Sequence, residues 1–199
     1  MAGQPILATN SRIDIIAIGA SAGGLAAITE VLAPLSADFP CALVVVQHLH
    51  PDYQSRMAEI LSRRTKLNVK QAQDGDQLSP GTVYIAPPDN HLLVLADGVL
   101  ALRHTQKIHF LRPSADVLFE SVASSFMSRS IGVVLSGTGS DASAGLTAIK
   151  NAGGITIAED YKTAEFPGMP ESAWHTGLVD FILPLSKIGA KLIELVEKE

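Results

Sequence analysis

Cysteine is almost absent from this chain of 199 residues. The single thiol, Cys41, has no partner for an intrachain disulfide, which excludes a disulfide-stabilised framework and favours a reducing compartment. Long apolar runs are also missing, because the run from Cys41 to Val46 is far too short to cross a bilayer. The first residues lack the basic start and apolar stretch of a secretion signal. The sequence therefore predicts a cytoplasmic domain with no membrane insertion.

An excess of basic residues is absent as well. Lys and Arg number 15 against 20 Asp and Glu, which gives a formal net charge of −5 and argues against nucleic acid as the principal ligand. Charged residues make up only 18% of the chain, and hydrophobic residues make up 47%. This composition excludes a disordered chain and favours a sheet that is buried on both faces.

Short apolar runs alternate with helical patterns along the chain. The run Ile13–Ile18 ends at Gly19, as a buried strand does, and Gly24 opens a helical pattern that Pro34 terminates. Further strands are expected at about 42–47, 83–86, 131–135, 155–158 and 181–183, and further helices at about 55–64, 114–126, before Gly153, at 171–175 and after Pro184. This order predicts an α/β fold, doubly wound, with three α/β/α layers and a mostly parallel sheet.

The middle of the chain departs from this alternation. The runs Leu92–Leu95 and Val99–Leu102 flank an Asp-Gly turn and predict a small antiparallel hairpin. Residues 103–112, which we call the basic loop, contain no acidic residue; their basic residues are Arg103, His104, Lys107, His109 and Arg112. We find no internal repeat or linker, so we expect one domain over residues 13–199, preceded by a flexible leader of residues 1–12.

Three predicted strand ends carry reactive side chains. Ser21 follows the first strand, His48 follows the second, and Asp141 follows the strand at 131–135. In a doubly wound sheet, functional groups gather at the carboxyl ends of the strands. A serine hydroxyl needs a base to take its proton, histidine is the usual base near neutral pH, and a carboxylate fixes the imidazole tautomer. These residues therefore predict a Ser-His-Asp hydrolase triad.

Each of these residues also has a purely structural interpretation. The glycine-rich turn that contains Ser21 packs a helix on a strand in many proteins, His48 can cap a strand end, and Asp141 can cap its own helix. Gly19-Ala-Ser21-Ala-Gly23 matches the G-x-S-x-G nucleophile elbow, but the chain order Ser, His, Asp differs from that of α/β-hydrolases. An ordinary α/β-hydrolase is therefore disfavoured.

A nucleotide- or partner-binding module of the Rossmann type, without hydrolase activity, is one alternative. The run from Gly19 to Gly24 is a dinucleotide fingerprint whose middle glycine is replaced by Ser21. That interpretation requires an acidic residue at the tip of the second strand, where the chain has Gln47 and His48.

A metal-dependent hydrolase is the other alternative. His48, His50 and Asp52 resemble a run of zinc ligands. Tyr53 stands where a further histidine is usual, and the other histidines show no tight metal spacing. We therefore expect neither a metal nor another cofactor.

The motifs together resemble the catalytic domain of chemotaxis protein-glutamate methylesterases. They run in chain order from about residue 13 to 185: Ile18-Gly-Ala-Ser-Ala-Gly-Gly24, Val45-Val-Gln-His48, Gly75-Asp76, Pro80-Gly81, Tyr84-Ile-Ala-Pro87, Arg112-Pro-Ser-Ala-Asp-Val-Leu-Phe119, Leu135-Ser-Gly-Thr-Gly-Ser-Asp141 and Gly168-Met-Pro170. Ordered motifs over most of the chain carry far more weight than any single one.

The resemblance implies a doubly wound domain that hydrolyses glutamyl methyl esters, and in many members deamidates glutamines, on methyl-accepting chemotaxis receptors. The family's nucleophile, base and carboxylate fall on Ser21, His48 and Asp141. Candidate oxyanion or substrate-binding residues are Ala22, Gly23, Gly24, Thr138, Arg112 and Met169. Arg103, Lys107 and Arg112 are further candidates to face acidic receptor helices, with an ordinary solvated loop as the alternative.

The chain departs from the family pattern at three points. Ala22 replaces a frequent threonine after the nucleophile, and Thr138 replaces a frequent methionine between two glycines. Typical members also carry an N-terminal receiver domain, which the residues before Ile13 are too few to form. The resemblance therefore leaves open regulation by a separate domain or protein.

Overall fold

The computed structural model describes residues 12–48 and 55–197. The strands are β1 (Ile15–Ala20), β2 (Ala42–Gln47), β3 (Asn68–Gln71), β4 (Thr82–Ile85), β5 (His91–Val94), β6 (Leu100–Arg103), β7 (Ser130–Val134), β8 (Ile155–Glu159) and β9 (Phe181–Leu183). The helices are α1 (Gly24–Leu32), α2 (Met57–Ser62), α3 (Ala115–Phe126), α4 (Ser143–Asn151), α5 (Gly168–His175) and α6 (Leu185–Glu197).

Seven strands form one parallel sheet in the order β3-β4-β2-β1-β7-β8-β9. The chain begins at the centre with β1, builds outward through β2, and returns to the other side of β1 with β7. Strands β5 and β6 pair separately as an antiparallel hairpin. This topology confirms the predicted doubly wound fold class and the predicted hairpin.

Two apolar clusters, one on each face of the sheet, make the three layers. Side chains of α1, α2 and α6 pack on one face, and those of α3, α4, α5 and the hairpin pack on the other. Every residue of β1 and β2 is buried, because helices cover both faces of these central strands. Consecutive β1 residues alternate between the clusters, with Ile16 and Ile18 in one and Ile15 and Ala17 in the other.

The sequence prediction missed strand β3. Three of its four residues, Asn68–Gln71, are polar, and they are mostly half-buried, since β3 lies at the edge of the sheet and pairs only with β4. An edge strand of this kind needs no apolar run. Helix α5 begins at Gly168, three residues earlier than expected, and residues 108–111 of the basic loop form a tight turn.

Part of the prediction lies outside the described residues. Residues 1–11 of the expected leader fall there, as do the candidate metal ligands His50 and Asp52. Within the described ranges, no helix is both long enough and apolar enough to span a membrane.

Candidate active site

Ser21 and His48 follow two neighbouring strands at the same edge of the sheet. The register of β1 and β2 pairs Ala20 with Gln47, and the His48 backbone N–H donates to the Ala20 carbonyl at 3.1 Å. The Ser21 N–H donates to the carbonyl of Ser136, in the loop after β7, at 3.0 Å. The carboxyl ends of the three central strands therefore meet around Ser21.

Asp141 reaches this edge from the loop between β7 and α4. Its Oδ2 lies 2.7 Å from Nε2 of His48, although the two residues are 93 positions apart. The side chains of His48 and Asp141 are 10% and 1% exposed. The structure thus joins two of the three residues selected from the sequence through a buried hydrogen bond.

The start of helix α3 holds the Asp141 carboxylate. Oδ2 accepts a hydrogen bond from the Ala115 N–H at 2.6 Å, and Oδ1 accepts from the Ser114 hydroxyl at 2.7 Å and the Asp116 N–H at 3.1 Å. Asp141 therefore does not cap its own helix, whose N-cap is Ala142. It caps α3, where the helix dipole also favours a negative charge.

These contacts keep Asp141 ionised. Burial alone would raise the pKa of its carboxyl, but the hydrogen bonds from His48, Ala115 and Ser114 outweigh burial and lower the pKa to about 2. An ionised carboxylate on one imidazole nitrogen fixes the tautomer of the ring and stabilises the imidazolium that forms during catalysis.

Asp116, in the first turn of α3, behaves in the opposite way. Burial raises the pKa of its carboxyl to about 6, aided by the charges of Asp141 and Glu120, although Oδ1 accepts a hydrogen bond from the Gly145 N–H at 2.7 Å. Its position in the first turn of α3 is one that the helix dipole favours for a carboxylate, but burial against α4 outweighs that effect.

The Ser21 hydroxyl forms no hydrogen bond with His48 within the described part of the chain. His48 contacts Asp141 through Nε2, so Nδ1 is the nitrogen available to take a proton from Ser21. Serine and histidine commonly lie too far apart for this bond in the free enzyme and approach when substrate binds.

The turn after Ser21 supplies candidate oxyanion donors. Gly23 has a left-handed backbone with φ of 74°, and the Gly24 N–H closes the turn on the Ser21 carbonyl at 2.9 Å. The N–H groups of Ala22 and Gly23 donate to no other residue that the structure describes. They are therefore free to hold a developing negative charge at the start of α1.

Gln47 contributes to the site in a way that sequence reasoning missed. Its buried amide donates to the Ser21 carbonyl at 2.6 Å and to the His48 carbonyl at 3.1 Å, and so joins the backbones of both residues. A side chain at Gly24 would collide with this amide, because a Cβ there would lie 1.9 Å from the Gln47 oxygen. A polar residue at the end of an otherwise apolar strand was the available signal.

The loop after β7 forms a second wall beside Ser21. A Cβ on Gly137 would lie 2.9 Å from Cβ of Ser21 and 2.3 Å from Sδ of Met169. Met169 is fully buried and its N–H donates to the Gly137 carbonyl at 2.9 Å, while Thr138 is exposed. Met169 therefore supports this loop from beneath, and only backbone fits next to Ser21.

An open cavity of about 400 Å³ begins at Ser21. Its lining comprises Ser21, Gly23, Gly24, Leu25, Ala26, Gln47 and Arg64. Arg64 is exposed and pairs with no carboxylate in the described ranges. The sequence analysis did not select Arg64, because nothing local marks an arginine after a short helix as part of a site.

Two arginines of the basic loop make structural ion pairs. Arg112 donates through Nη2 to Asp89 at 2.6 Å, and Arg103 donates to Asp74 at 3.1 Å. Arg112 is not among the residues that line the cavity at Ser21. Of the three proposed substrate-facing cations, only Lys107 forms no direct ion pair among the described residues, although its charge acts on Asp89.

Ser114 and His91 extend the network behind Asp141. Ser114 is the N-cap of α3, and its hydroxyl accepts from the Val117 N–H at 3.5 Å while it donates to Asp141. The Ser114 N–H donates to Nδ1 of buried His91 at 3.2 Å. His91 therefore links the hairpin to the helix start that holds the carboxylate.

No group of three or more His, Cys, Asp or Glu side chains that could hold a metal ion occurs within residues 12–48 and 55–197. His48 lies in this range and contacts Asp141, whereas its proposed co-ligands His50 and Asp52 lie outside it.

Comparison with known proteins shows that both the sequence and the fold resemble those of one enzyme family. The sequence profile of the CheB methylesterase family matches residues 16–192. A crystal structure of the CheB methylesterase catalytic domain of Thermotoga maritima superposes with a TM-score of 0.89 at 40% identity, covering 92% of this chain and 99% of that one.

Two curated relatives differ in how much of their own length this chain covers. A protein-glutamate methylesterase/protein-glutamine glutaminase of Sulfurimonas denitrificans is 43% identical over 187 residues, which are 92% of this chain but 53% of the relative. A putative protein of the same description from Leptospira interrogans is 37% identical and is covered over 94% of its length. The chain thus spans about half the length of the first relative and nearly all of the second.

Proposed function

The chain belongs to the CheB methylesterase family, and from this premise we propose that it hydrolyses glutamyl γ-methyl esters on a protein substrate. The observation that supports this function most directly is the buried contact between His48 and Asp141 beside the strand end that carries Ser21. An oriented imidazole next to a serine at an open cavity is the arrangement that ester hydrolysis by acyl transfer requires.

Acylation begins with proton transfer from Ser21 to His48. Nδ1 of His48 takes the proton as Oγ attacks the γ-carbonyl carbon of the ester, and the ionised Asp141 stabilises the imidazolium through Nε2–H. The N–H groups of Ala22 and Gly23 bind the oxyanion of the tetrahedral intermediate. The intermediate then expels the methoxy group, which takes the proton from His48 and leaves as methanol.

Deacylation repeats these steps with water. His48 takes a proton from water, and the resulting hydroxide attacks the acyl-serine carbonyl. Collapse of the second intermediate breaks the bond to Ser21 Oγ, which takes the proton back from His48. The products are a glutamate side chain and a regenerated enzyme.

Glutamine deamidation uses the same groups. The curated name of the Sulfurimonas relative includes protein-glutamine glutaminase, which favours this second activity. A carboxamide in place of the ester undergoes the same attack by Ser21, and ammonia leaves with the proton that methanol would otherwise take.

The proposed substrate is the methylated, acidic region of a methyl-accepting chemotaxis receptor, on which the enzyme acts from the cytoplasm. The cavity at Ser21 is open, which suits a side chain presented by a folded protein. The chain carries a net charge of −5, so recognition of an acidic substrate requires a local basic surface.

The experiment that tests this function measures methanol released from a receptor fragment whose glutamates are methylated. We expect the wild-type chain to release methanol, and Ser21→Ala and His48→Ala to lower kcat by at least ~10³-fold. Asp141→Asn should also lower kcat, because it removes the charge that stabilises the imidazolium. A phosphonate that modifies active serines should label Ser21 in the wild type.

Ser36→Ala is the matched control, since Ser36 is exposed and precedes β2 at the end opposite His48. It should leave kcat unchanged. Near-normal methanol release by Ser21→Ala, with folding verified by circular dichroism, would rule out the proposed mechanism.

A further inference from the structure

The tip of the basic loop presents an aromatic side chain to solvent. Ile108 and Leu111 exchange backbone hydrogen bonds of 3.1 and 2.8 Å around His109 and Phe110, whose φ angles of 48° and 67° are both left-handed. These angles form a two-residue turn that usually contains glycine or asparagine. Phe110 is 93% exposed, against 61% for Met127, the next most exposed large apolar side chain in the described ranges.

Both sides of this turn are fixed to the protein. Arg112 donates to Asp89 through Nε at 3.0 Å and Nη2 at 2.6 Å, and its Nη1 donates to the Thr105 carbonyl at 2.5 Å. On the other side, Nε2 of His91 lies 3.0 Å from the carbonyl oxygen of Gln106. The loop therefore holds Phe110 on a supported turn, which reduces the conformational entropy that Phe110 would lose on binding.

The tip lies close in sequence to the start of α3, which holds Asp141. Phe110 precedes Ser114 by four residues, and Ser114 donates its hydroxyl to Asp141. Four residues span at most about 14 Å, so Cα of Phe110 lies within about 14 Å of Cα of Ser114. A protein substrate that places one side chain at Ser21 is large enough to extend over such a distance.

The charge next to Phe110 is positive. The basic loop contains no acidic residue, and Lys107 forms no direct ion pair among the residues that the structure describes. Its charge nevertheless contributes, after those of Arg112 and His104, to the lowered pKa of Asp89, so Asp74 and Asp89 offset part of the positive charge of the loop. This surface contrasts with the overall net charge of −5 and fits a partner that is acidic and has an apolar contact point.

We propose that Phe110 and Lys107 form a docking surface for the acidic segment that carries the glutamyl ester. This proposal rests on the proposed function. Each ester hydrolysis leaves a carboxylate on the substrate, so the segment around the reacting residue is acidic. Phe110 packs against an apolar side chain of that segment while Lys107 attracts its carboxylates, and the ester then lies at Ser21.

The test compares two substrates, a methylated receptor fragment and the small ester N-acetyl-glutamate γ-methyl ester amide. We expect Phe110→Ala to raise KM for the fragment about tenfold, as loss of an aromatic anchor does, and to leave kcat/KM for the small ester within twofold of wild type. Lys107→Gln should raise KM for the fragment and reduce its dependence on salt.

Met127→Ala is the matched control. It removes the next most exposed large apolar side chain of the described ranges, just beyond the far end of α3 and about 18 Å from the helix start. An unchanged KM for the fragment in Phe110→Ala would overturn the docking surface, as would an equal loss on both substrates. A wild-type chain that hydrolyses neither substrate would overturn the proposed function and the docking proposal with it.

Discussion

Two neighbouring carboxyl groups at the start of α3 have opposite proton affinities. Asp141 accepts hydrogen bonds from His48, Ser114 and two backbone N–H groups, which lower its pKa to about 2 despite burial. Burial raises the pKa of Asp116 to about 6, because it accepts only the Gly145 N–H and faces the charges of Asp141 and Glu120. The number of donors around each carboxylate explains the difference.

Asp116→Asn should change the pH dependence of stability. A folded pKa above the unfolded value of 3.8 gives a contribution to stability that is complete below pH ~4 and is lost as the pH rises through about 6. The asparagine still accepts the Gly145 N–H but carries no charge. We expect the Tm of the variant, relative to wild type, to rise between pH 4 and pH 7.

Asp141 contributes with the opposite sign, since its stabilisation is present above pH ~4 and is lost as the pH falls toward about 2. Thermal unfolding between pH 4 and 7.5 therefore isolates Asp116. Glu171→Gln, at an exposed carboxyl of α5 whose charge does not contribute to the raised pKa of Asp116, is the control and should give only a small change. Parallel Tm curves for Asp116→Asn and wild type would contradict the raised pKa.

At the scale of elements, the contact between α3 and α4 positions the carboxylate. The first turn of α3 binds Asp141, and α4, which follows Asp141 directly, packs against the same turn at Gly145. A Cβ on Gly145 would lie 2.5 Å from Cβ of Phe119 and 2.9 Å from the Asp116 carbonyl oxygen. The two helices can approach this closely only because residue 145 has no side chain.

Gly145→Ala should therefore affect stability and catalysis together. The added methyl group must push α4 away from α3, which we expect to lower the free energy of unfolding by about 1–3 kcal/mol. Because Asp141 moves with α4, kcat should fall as well. Urea unfolding and methanol release measure the two effects, with Ala144→Ser at the adjacent exposed position as control. A stable variant with wild-type kcat would show that the helices do not set the position of Asp141.

At the scale of the whole molecule, the sheet separates the apolar layer of α1 and α6 from the helices that hold the Asp141 carboxylate. Helix α6 packs on α1 at Gly189, where an added Cβ would lie 2.6 Å from the Val31 carbonyl oxygen and 2.5 Å from Cγ of Pro34, near the end of α1 away from Ser21. Ile188 and Leu192 of α6 are fully buried in the apolar cluster of that layer. The carboxylate, in contrast, is held by helices on the other face.

Leu192→Ala should lower stability and leave catalysis unchanged. Removal of a fully buried leucine side chain costs about 2–5 kcal/mol of unfolding free energy. We expect kcat of the folded variant to stay within twofold of wild type, measured at a temperature where unfolding curves show it fully folded. Lys187→Ala, exposed on the same helix, should change neither quantity. A large fall in kcat would show that the two layers are coupled.

The sequence by itself determined the central strands, the hairpin and the types of residue at the strand ends. These features are local: apolar runs such as Ile15–Ala20 bury themselves, an Asp-Gly pair turns the chain, and the turn after Ser21 needs small residues. The edge strand β3 was missed, because a half-exposed strand leaves no apolar pattern.

Only the tertiary structure decided which of these residues meet. The order β2-β1-β7 brings Asp141 to His48 across 93 positions of sequence, and it makes Asp141 a cap of α3 rather than of the helix that follows it. The same packing pairs Arg112 with Asp89 in an ion pair. It also lets the Gln47 amide donate hydrogen bonds to the backbone carbonyls of Ser21 and His48. Such contacts depend on how distant elements pack, and a local pattern carries no information about that.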